Sequence, residues 1–261
     1  MVLSLEQIDT FIRDGFVKLE GAFPRTTAQA CSTIVWRALG LSPDHPEQWT
    51  QPVMRIMAPP LLPPFREAAA SPRLATALDQ LAGAGRWTMP GTLGAIVARF
   101  PTVEKPWDDG WHIDASFPPP DDPDSQDYFQ WRVNYLSRGR SMLMLFLFTD
   151  CGPDDAPTRV RIGSHMPMAR QLAKHGEAGA SLTELAKEGF DSSADCEIAL
   201  ATGEAGTVWL LHPFTVHAAQ AHHGKQPRFM AQPGLGFNTE ASSDDPSPVM
   251  RAIHISLEAH A

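Results

Sequence analysis

Trp111-His112-Ile113-Asp114 places an imidazole and a carboxylate one residue apart. On a β-strand, residues i and i+2 project to the same face, so both side chains would enter one cavity. A second imidazole from a distant strand would complete a face of two imidazoles and one carboxylate on an iron(II) ion, leaving positions open for a cosubstrate and O2. His217, in the β-branched stretch Thr215-Val216-His217-Ala218, is the preferred third ligand. A late strand of a barrel lies beside an early one, so the long sequence separation is no obstacle. His212 competes, but it directly precedes Pro213, where the backbone is restricted and a turn is expected. It reads as a residue behind the metal or on the surface.

Arg228 follows His217 closely enough for a hairpin to return it beside the metal. A guanidinium is a planar fork that grips a carboxylate through two hydrogen bonds, whereas Lys offers a point charge. Arg228 therefore reads as the anchor of a dicarboxylate cosubstrate whose other end chelates the metal. A hydroxyl from Thr215 or Ser141 could add a hydrogen bond, and the sequence does not choose between them. Each signal alone is weak, because a lone His or Arg is usually a core or surface residue. Their combination in this order carries the reading.

These side chains need a scaffold. Ser4-Leu5-Glu6-Gln7 is a capping box opening a helix with Leu5, Ile8, Phe11 and Ile12 on one face and Gly15 at its end. A strand at Phe16–Leu19 and a helix from Arg25 to Leu39 follow. Residues 42–64 are Pro-rich and read as irregular, either wrapped on the surface or forming a lid. Ser71-Pro72 opens another helix with Leu74, Leu78 and Leu81 inward. From Ala95 onward strands dominate: Ala95 to Phe100, Trp111 to Ser116, Ser141 to Thr149, Thr158 to Ile162, Cys196 to Ala201, Thr207 to Leu211, Thr215 to Ala218 and Arg228 to Gln232. Met142 to Phe148 is continuously apolar, as a strand buried on both faces requires. Gly203 and Gly206 predict a tight hairpin, and 118–127 a loop beside the site. Short helices follow Gly163-Ser164-His165 and the capping box at Ser181, and a last one starts at Ser247-Pro248.

Strands without regular intervening helices argue against a doubly wound sheet. They predict a mainly β fold with flanking α-helices, a jelly-roll barrel. One domain is expected over 1–261, with a helical part at about 1–90, a barrel at about 91–240 and a C-terminal helix at about 247–259.

The 261 residues carry a net charge of −9, which argues against a nucleic-acid partner. No apolar run is long enough to span a bilayer, and the first residues lack a signal-peptide pattern. Cys31, Cys151 and Cys196 are odd in number and widely spaced, so no disulfide framework is expected and the reading is cytoplasmic.

The whole pattern resembles the phytanoyl-CoA dioxygenase-like family of iron(II)- and 2-oxoglutarate-dependent oxygenases. Phe11-Ile12-Arg13-Asp14-Gly15-Phe16-Val17 is similar to that family's opening helix and strand, and Trp111-His112-Ile113-Asp114 to its iron motif. Asp155-Ala156-Pro157-Thr158 and Ile162-Gly163-Ser164-His165 resemble a central segment that usually reads Asn-Gly-Pro and then Pro-Gly-Ser-His; Ala156 and Ile162 depart from it. Gly203 to Thr207, His217 and Arg228 match its C-terminal part. The resemblance implies a double-stranded β-helix, iron(II) on His112, Asp114 and His217, and the distal carboxylate of 2-oxoglutarate on Arg228. Arg99 lies where the family often has a polar residue near the cosubstrate. Halogenating relatives replace the iron carboxylate with a small residue. Asp114 therefore favours hydroxylation, or another outcome of hydrogen abstraction, with release of succinate and CO2.

The expected substrate is a small molecule, lipid-like or a specialised metabolite. Arg132, Asn134, Arg138, Arg140, Arg159 and Arg161 read either as contacts to an anionic substrate or as surface charge. Trp107, Trp111 and Trp131 read as pocket lining or core. Two other readings remain: a cupin-like metal enzyme without oxidative chemistry, such as an isomerase, and a ligand-binding barrel without turnover. Arg228 argues against the first, and the intact ligand set against the second.

Overall fold

The computed structural model describes residues 1–57, 62–238 and 245–259. Helix α1 (Leu5–Asp14) begins on the Ser4–Gln7 capping box, with both reciprocal hydrogen bonds formed, and ends at Gly15 in the left-handed conformation (φ 84°). There follow β1 (Phe16–Leu19), α2 (Arg25–Leu39), β2 (Val53–Met57), α3 (Pro63–Ala69), α4 (Pro72–Ala82), β3 (Trp87–Thr88), β4 (Ala95–Arg99) and β5 (Arg132–Val133). Then come β6 (Met142–Leu147), β7 (Arg159–Arg161), α5 (His165–Ala173), β8 (Ala180–Ser181) and α6 (Leu182–Glu188). The chain closes with β9 (Ile198–Leu200), β10 (Val208–Leu211), β11 (His217–Ala218), β12 (Arg228–Ala231), β13 (Gly234–Phe237) and α7 (Pro248–Glu258).

The large sheet runs β1-β10-β6-β12-β4-β2, with β13 bridging β6 and β3, and the small sheet runs β11-β7-β9. Every pairing in both is antiparallel. Strand β6 is buried at all six positions, as its unbroken apolar run predicts. Met142, Met144 and Phe146 face α2, α3 and α4, packing among Val35, Phe65, Leu74 and Leu78. Leu143, Leu145 and Leu147 face the opposite way, against Val160 of β7 and Ala201. The large sheet is thus held between a helical layer and the small sheet, each fully buried side chain contributing about 1.5–3 kcal/mol.

The alternation fixes which side chains enter the space between the sheets. In β4, Ile96 and Ala98 join the helical layer; in β12, Phe229 and Ala231 do. Arg99 and Arg228 therefore project to the opposite face.

Several expectations are corrected. Helical residues outnumber strand residues among those described, so the fold is mixed α/β with antiparallel sheets rather than mainly β. Residues 42–64 are not wholly irregular: Val53–Met57 pairs with β4 over its whole length, and α3 begins at Pro63. Proline on both sides concealed that strand, and part of the stretch lies outside the described residues. Trp111 to Ser116 is not a strand; only the isolated bridge His112↔His217 forms there. Gly203 and Gly206 do not close a hairpin, because β9 pairs with β7 while β10 pairs with β1 and β6. Nor do β11 and β12 form one, since they belong to different sheets. Among the described residues no helix is long and apolar enough to cross a membrane.

Candidate metal centre

His112, Asp114 and His217 converge: one ligand atom from each lies within 4.8 Å of the others. Strand alternation is not what brings His112 here, because it is not in a strand. Its position comes from His217. The two residues exchange backbone hydrogen bonds, His112 N to His217 O at 3.0 Å and His217 N to His112 O at 2.9 Å. Their rings lie 4.4 Å apart.

The loop before His112 is pinned by side chains instead of a ladder. Trp111 has the guanidiniums of Arg159 (4.8 Å) and Arg161 (4.4 Å) over its ring, both on β7, the strand that pairs with β11. Arg159 also donates to the Asp109 carbonyl at 2.8 Å. Cation–π contacts of this kind contribute about 0.5–2 kcal/mol each.

Ring orientation is set from behind. His112 Nδ1 lies 2.9 Å from the Gly110 carbonyl, and His217 Nδ1 lies 3.0 Å from the Thr215 carbonyl. A carbonyl only accepts, so each Nδ1 carries a proton and each Nε2 is the ring nitrogen left to face a metal. Burial, with His112 beside it, pushes the His217 imidazole down to about 4, so it is neutral at pH 7. Burial alone would push the Asp114 carboxyl up. Arg140, the foremost influence against burial, holds the group below the usual carboxylate range. A neutral His217 and an ionised Asp114 are the protonation states that a divalent ion needs of those two ligands. The donor set suits iron(II) with open coordination positions.

Arg228 and Arg99 are paired residues of β12 and β4, and both are buried, at 1% and 3% exposure. Like charges directly opposite in a sheet are destabilising. Burial, reinforced by Arg99, pushes the Arg228 guanidinium down to about 9. Arg228 donates to the Ala156 carbonyl at 2.7 Å, and Arg99 donates to both oxygens of Asp108 at 2.9 Å. Arg228 Nε, Arg99 Nε and Arg99 Nη1 are buried with no partner among the described residues. Two cations with three spare donors face one carboxylate, a shortfall that a further carboxylate would fill.

Thr215 and Ser141 give their hydroxyl protons to backbone, Thr215 to Gly15 O at 2.8 Å and Ser141 to Leu235 O at 3.1 Å. His212 is buried, not on the surface: its Nε2 meets Val249 O at 3.1 Å and its Nδ1 accepts from Phe214 N at 3.2 Å. The basic cluster is largely engaged with the protein itself. Arg132 donates to Ala178 O and Gly179 O, Asn134 to Glu177 O, and Arg161 to Phe190 O and Ser193. Arg138 lies over the Phe117 ring. Arg140 donates to Asp114 Oδ2 at 2.7 Å. The sequence shows Arg140 only as one of the basic cluster; no spacing rule joins it to Asp114. Trp107 is 75% exposed, whereas Trp131 packs at a tilt against Tyr128.

The family model described as Phytanoyl-CoA dioxygenase (PhyH) matches residues 11–230. No curated protein matches the chain. Among solved structures, HygX from Streptomyces hygroscopicus, with nickel, 2-oxoglutarate and hygromycin B bound, is similar at 18% identity, covering 92% of this chain and 89% of its own, with a TM-score of 0.56. The non-haem α-ketoglutarate-dependent epimerase SnoN from nogalamycin biosynthesis is 13% identical over 93% of this chain and 87% of its own, with a TM-score of 0.57. The carbocyclase SnoK from the same biosynthesis is 14% identical over 92% and 87%, with a TM-score of 0.55. At these identities the likeness establishes the fold.

Proposed function

The chain belongs to the phytanoyl-CoA dioxygenase family, and from that premise we propose that it is an oxygenase-type enzyme using iron(II), 2-oxoglutarate and O2 to hydroxylate an unactivated C–H bond of a small molecule, releasing succinate and CO2. The fold is read as a double-stranded β-helix within one catalytic domain. The observation that carries this reading is the convergence of two imidazoles and one carboxylate, the carboxylate and one of the imidazoles poised for a metal, tied by shared segments to a buried pair of guanidiniums. Asp108, held by Arg99, lies four positions before His112. Ala156, held by Arg228, lies just before β7, which pairs with β11 and its His217.

His112, Asp114 and His217 would hold the metal, and Arg228 with Arg99 the distal carboxylate. When bound, iron(II) and 2-oxoglutarate supply oxidative decarboxylation coupled to hydrogen abstraction. The chain's own part is orientation. Gly110 O and Thr215 O keep the imidazole protons on Nδ1, Arg140 keeps Asp114 ionised, and the paired guanidiniums set the direction of the cosubstrate. Thr215 and Ser141 are assigned to the scaffold, through Gly15 and Leu235.

A small-molecule substrate is supported by the hygromycin B held in HygX and the nogalamycin context of SnoN and SnoK. Those two are described as an epimerase and a carbocyclase, so an outcome of hydrogen abstraction other than hydroxylation is the second reading. Three free cysteines fit a reducing, cytoplasmic setting. An isomerase without oxidative chemistry would have no use for the two guanidiniums. The test is a substrate screen by succinate release with iron(II) and 2-oxoglutarate. Turnover should need both and disappear in His217→Ala; turnover without 2-oxoglutarate would reject the proposal.

A further inference from the structure

Arg140 is among the least expected residues at the metal centre. Its side chain is only 14% exposed, and it makes two contacts on one short segment: Asp114 Oδ2 at 2.7 Å and Ala115 O at 2.7 Å. The Tyr128 hydroxyl donates to the same Ala115 carbonyl at 3.3 Å. The guanidinium lies against Gly234, at the start of β13. A Cβ added there would come within 3.0 Å of Arg140 Cζ and 3.0 Å of its Nε, closer than nonbonded atoms normally sit. Gly234 pairs with Leu143 of β6, so the seat is part of the large sheet.

A carboxylate has two oxygens, and either one or both can bind a metal. Here Oδ2 is taken by a charge-assisted hydrogen bond, the strong kind at this distance. The bridge to Ala115 O also fixes the backbone that follows the ligand. Asp114 lacks a strand to hold it, so among the described contacts this one orients the carboxylate.

Resting on the iron-centre reading above, we propose that Arg140, seated on Gly234, is the positioning residue that holds Asp114 as a one-oxygen ligand through Oδ1. Loss of partners behind a metal ligand typically lowers metal affinity about 10–100-fold. A pure charge effect has the opposite sign, because deleting a cation beside a divalent ion would tighten binding. The two explanations are therefore separable by direction.

The experiment is titration of the apo-protein with nickel(II), a redox-inert stand-in, at pH 7.5. Thermal unfolding of each variant is followed alongside. Arg140→Ala should weaken nickel(II) binding about 10–100-fold, and Arg140→Lys should recover only part of it. Gly234→Ala keeps every ligand and the arginine, but makes the guanidinium give way by a few tenths of an ångström; it should weaken binding in the same direction and by less. If Arg140→Ala does not fold, Gly234→Ala carries the test alone. Arg140→Ala should add little to Asp114→Ala, because the effect passes through that carboxylate. Unchanged or tighter binding in Arg140→Ala and Gly234→Ala, with Asp114→Ala weakened, overturns the role of Arg140 and leaves the metal centre standing. A full additional loss on top of Asp114→Ala does the same. Unchanged binding in Asp114→Ala overturns the metal centre itself.

Discussion

Arg228 and Arg99 stand directly opposite each other in the β12–β4 pair, two buried guanidiniums sharing the sheet face away from the helical layer. Water cannot screen them, and Asp108 neutralises one. The remaining positive charge and the donors Arg228 Nε, Arg99 Nε and Arg99 Nη1, which have no partner among the described residues, fit the proposed role of holding one carboxylate. Arg228→Ala should weaken 2-oxoglutarate binding by more than tenfold while nickel(II) affinity stays within about threefold, since hydrogen bonds to charged groups contribute about 1.5–3 kcal/mol each. Isothermal titration of both ligands checks the split. Normal uptake of 2-oxoglutarate by that variant would reject the clamp.

Asp108 bridges Arg99 and Arg55, at 2.9 and 2.6 Å. Asp108→Asn leaves Arg99 buried without a counter-charge, and breaking such a pair costs about 3–5 kcal/mol. The variant should unfold at lower temperature. Saturating 2-oxoglutarate should raise its melting temperature more than it raises the wild type's, because an incoming carboxylate replaces the missing one. Equal ligand-induced shifts in the two proteins would contradict this.

Ala156 has φ 52°, in the left-handed region, and its carbonyl receives Arg228. A non-glycine residue there costs about 1–2 kcal/mol. Glycine gives back about 0.4–1 kcal/mol through a freer unfolded chain. Ala156→Gly should therefore stabilise the protein by about 0.5–1 kcal/mol, read from urea midpoints. A lower midpoint would show that Ala156 gains more from packing than it loses in strain.

Acid should weaken the fold through His165. This ring is buried, donates from Nε2 to Ile12 O at 3.0 Å, and lies 4.9 Å from His212. Burial pushes it down to about 4, and drives His212 lower in the same direction. The unfolded chain then binds more protons than the folded one between pH 6.5 and 4. Stability is complete above about 6.5 and falls as pH drops through that window, by up to about 3 kcal/mol for His165. Urea unfolding across the window should show a shallower slope in His165→Gln; an identical slope would count against a neutral buried ring.

Much of the fold was legible because its signals are local. The Ser4 and Ser181 capping boxes, Gly15 and the six-residue apolar run of β6 each fix an element by near-neighbour physics. The three side chains that converge as a candidate metal centre were chosen from residue type and order, although His112 is placed by a single bridge to His217 and by Arg159 and Arg161 over Trp111. The Asp114–Arg140 and Arg99–Asp108 pairs were not legible, since a salt bridge to an irregular segment leaves no periodicity. Strand β2 was hidden by flanking prolines, and the supposed hairpins failed because glycine punctuation does not say which sheet the next strand joins.

The most direct measurement is anaerobic: iron(II) and 2-oxoglutarate are added to the wild type, His217→Ala and Arg228→Ala, and the visible spectrum is recorded. A weak charge-transfer band should appear in the wild type, vanish in His217→Ala, and require far more 2-oxoglutarate in Arg228→Ala. No band in the wild type, or an undiminished band in His217→Ala, would contradict an iron centre built on His112, Asp114 and His217.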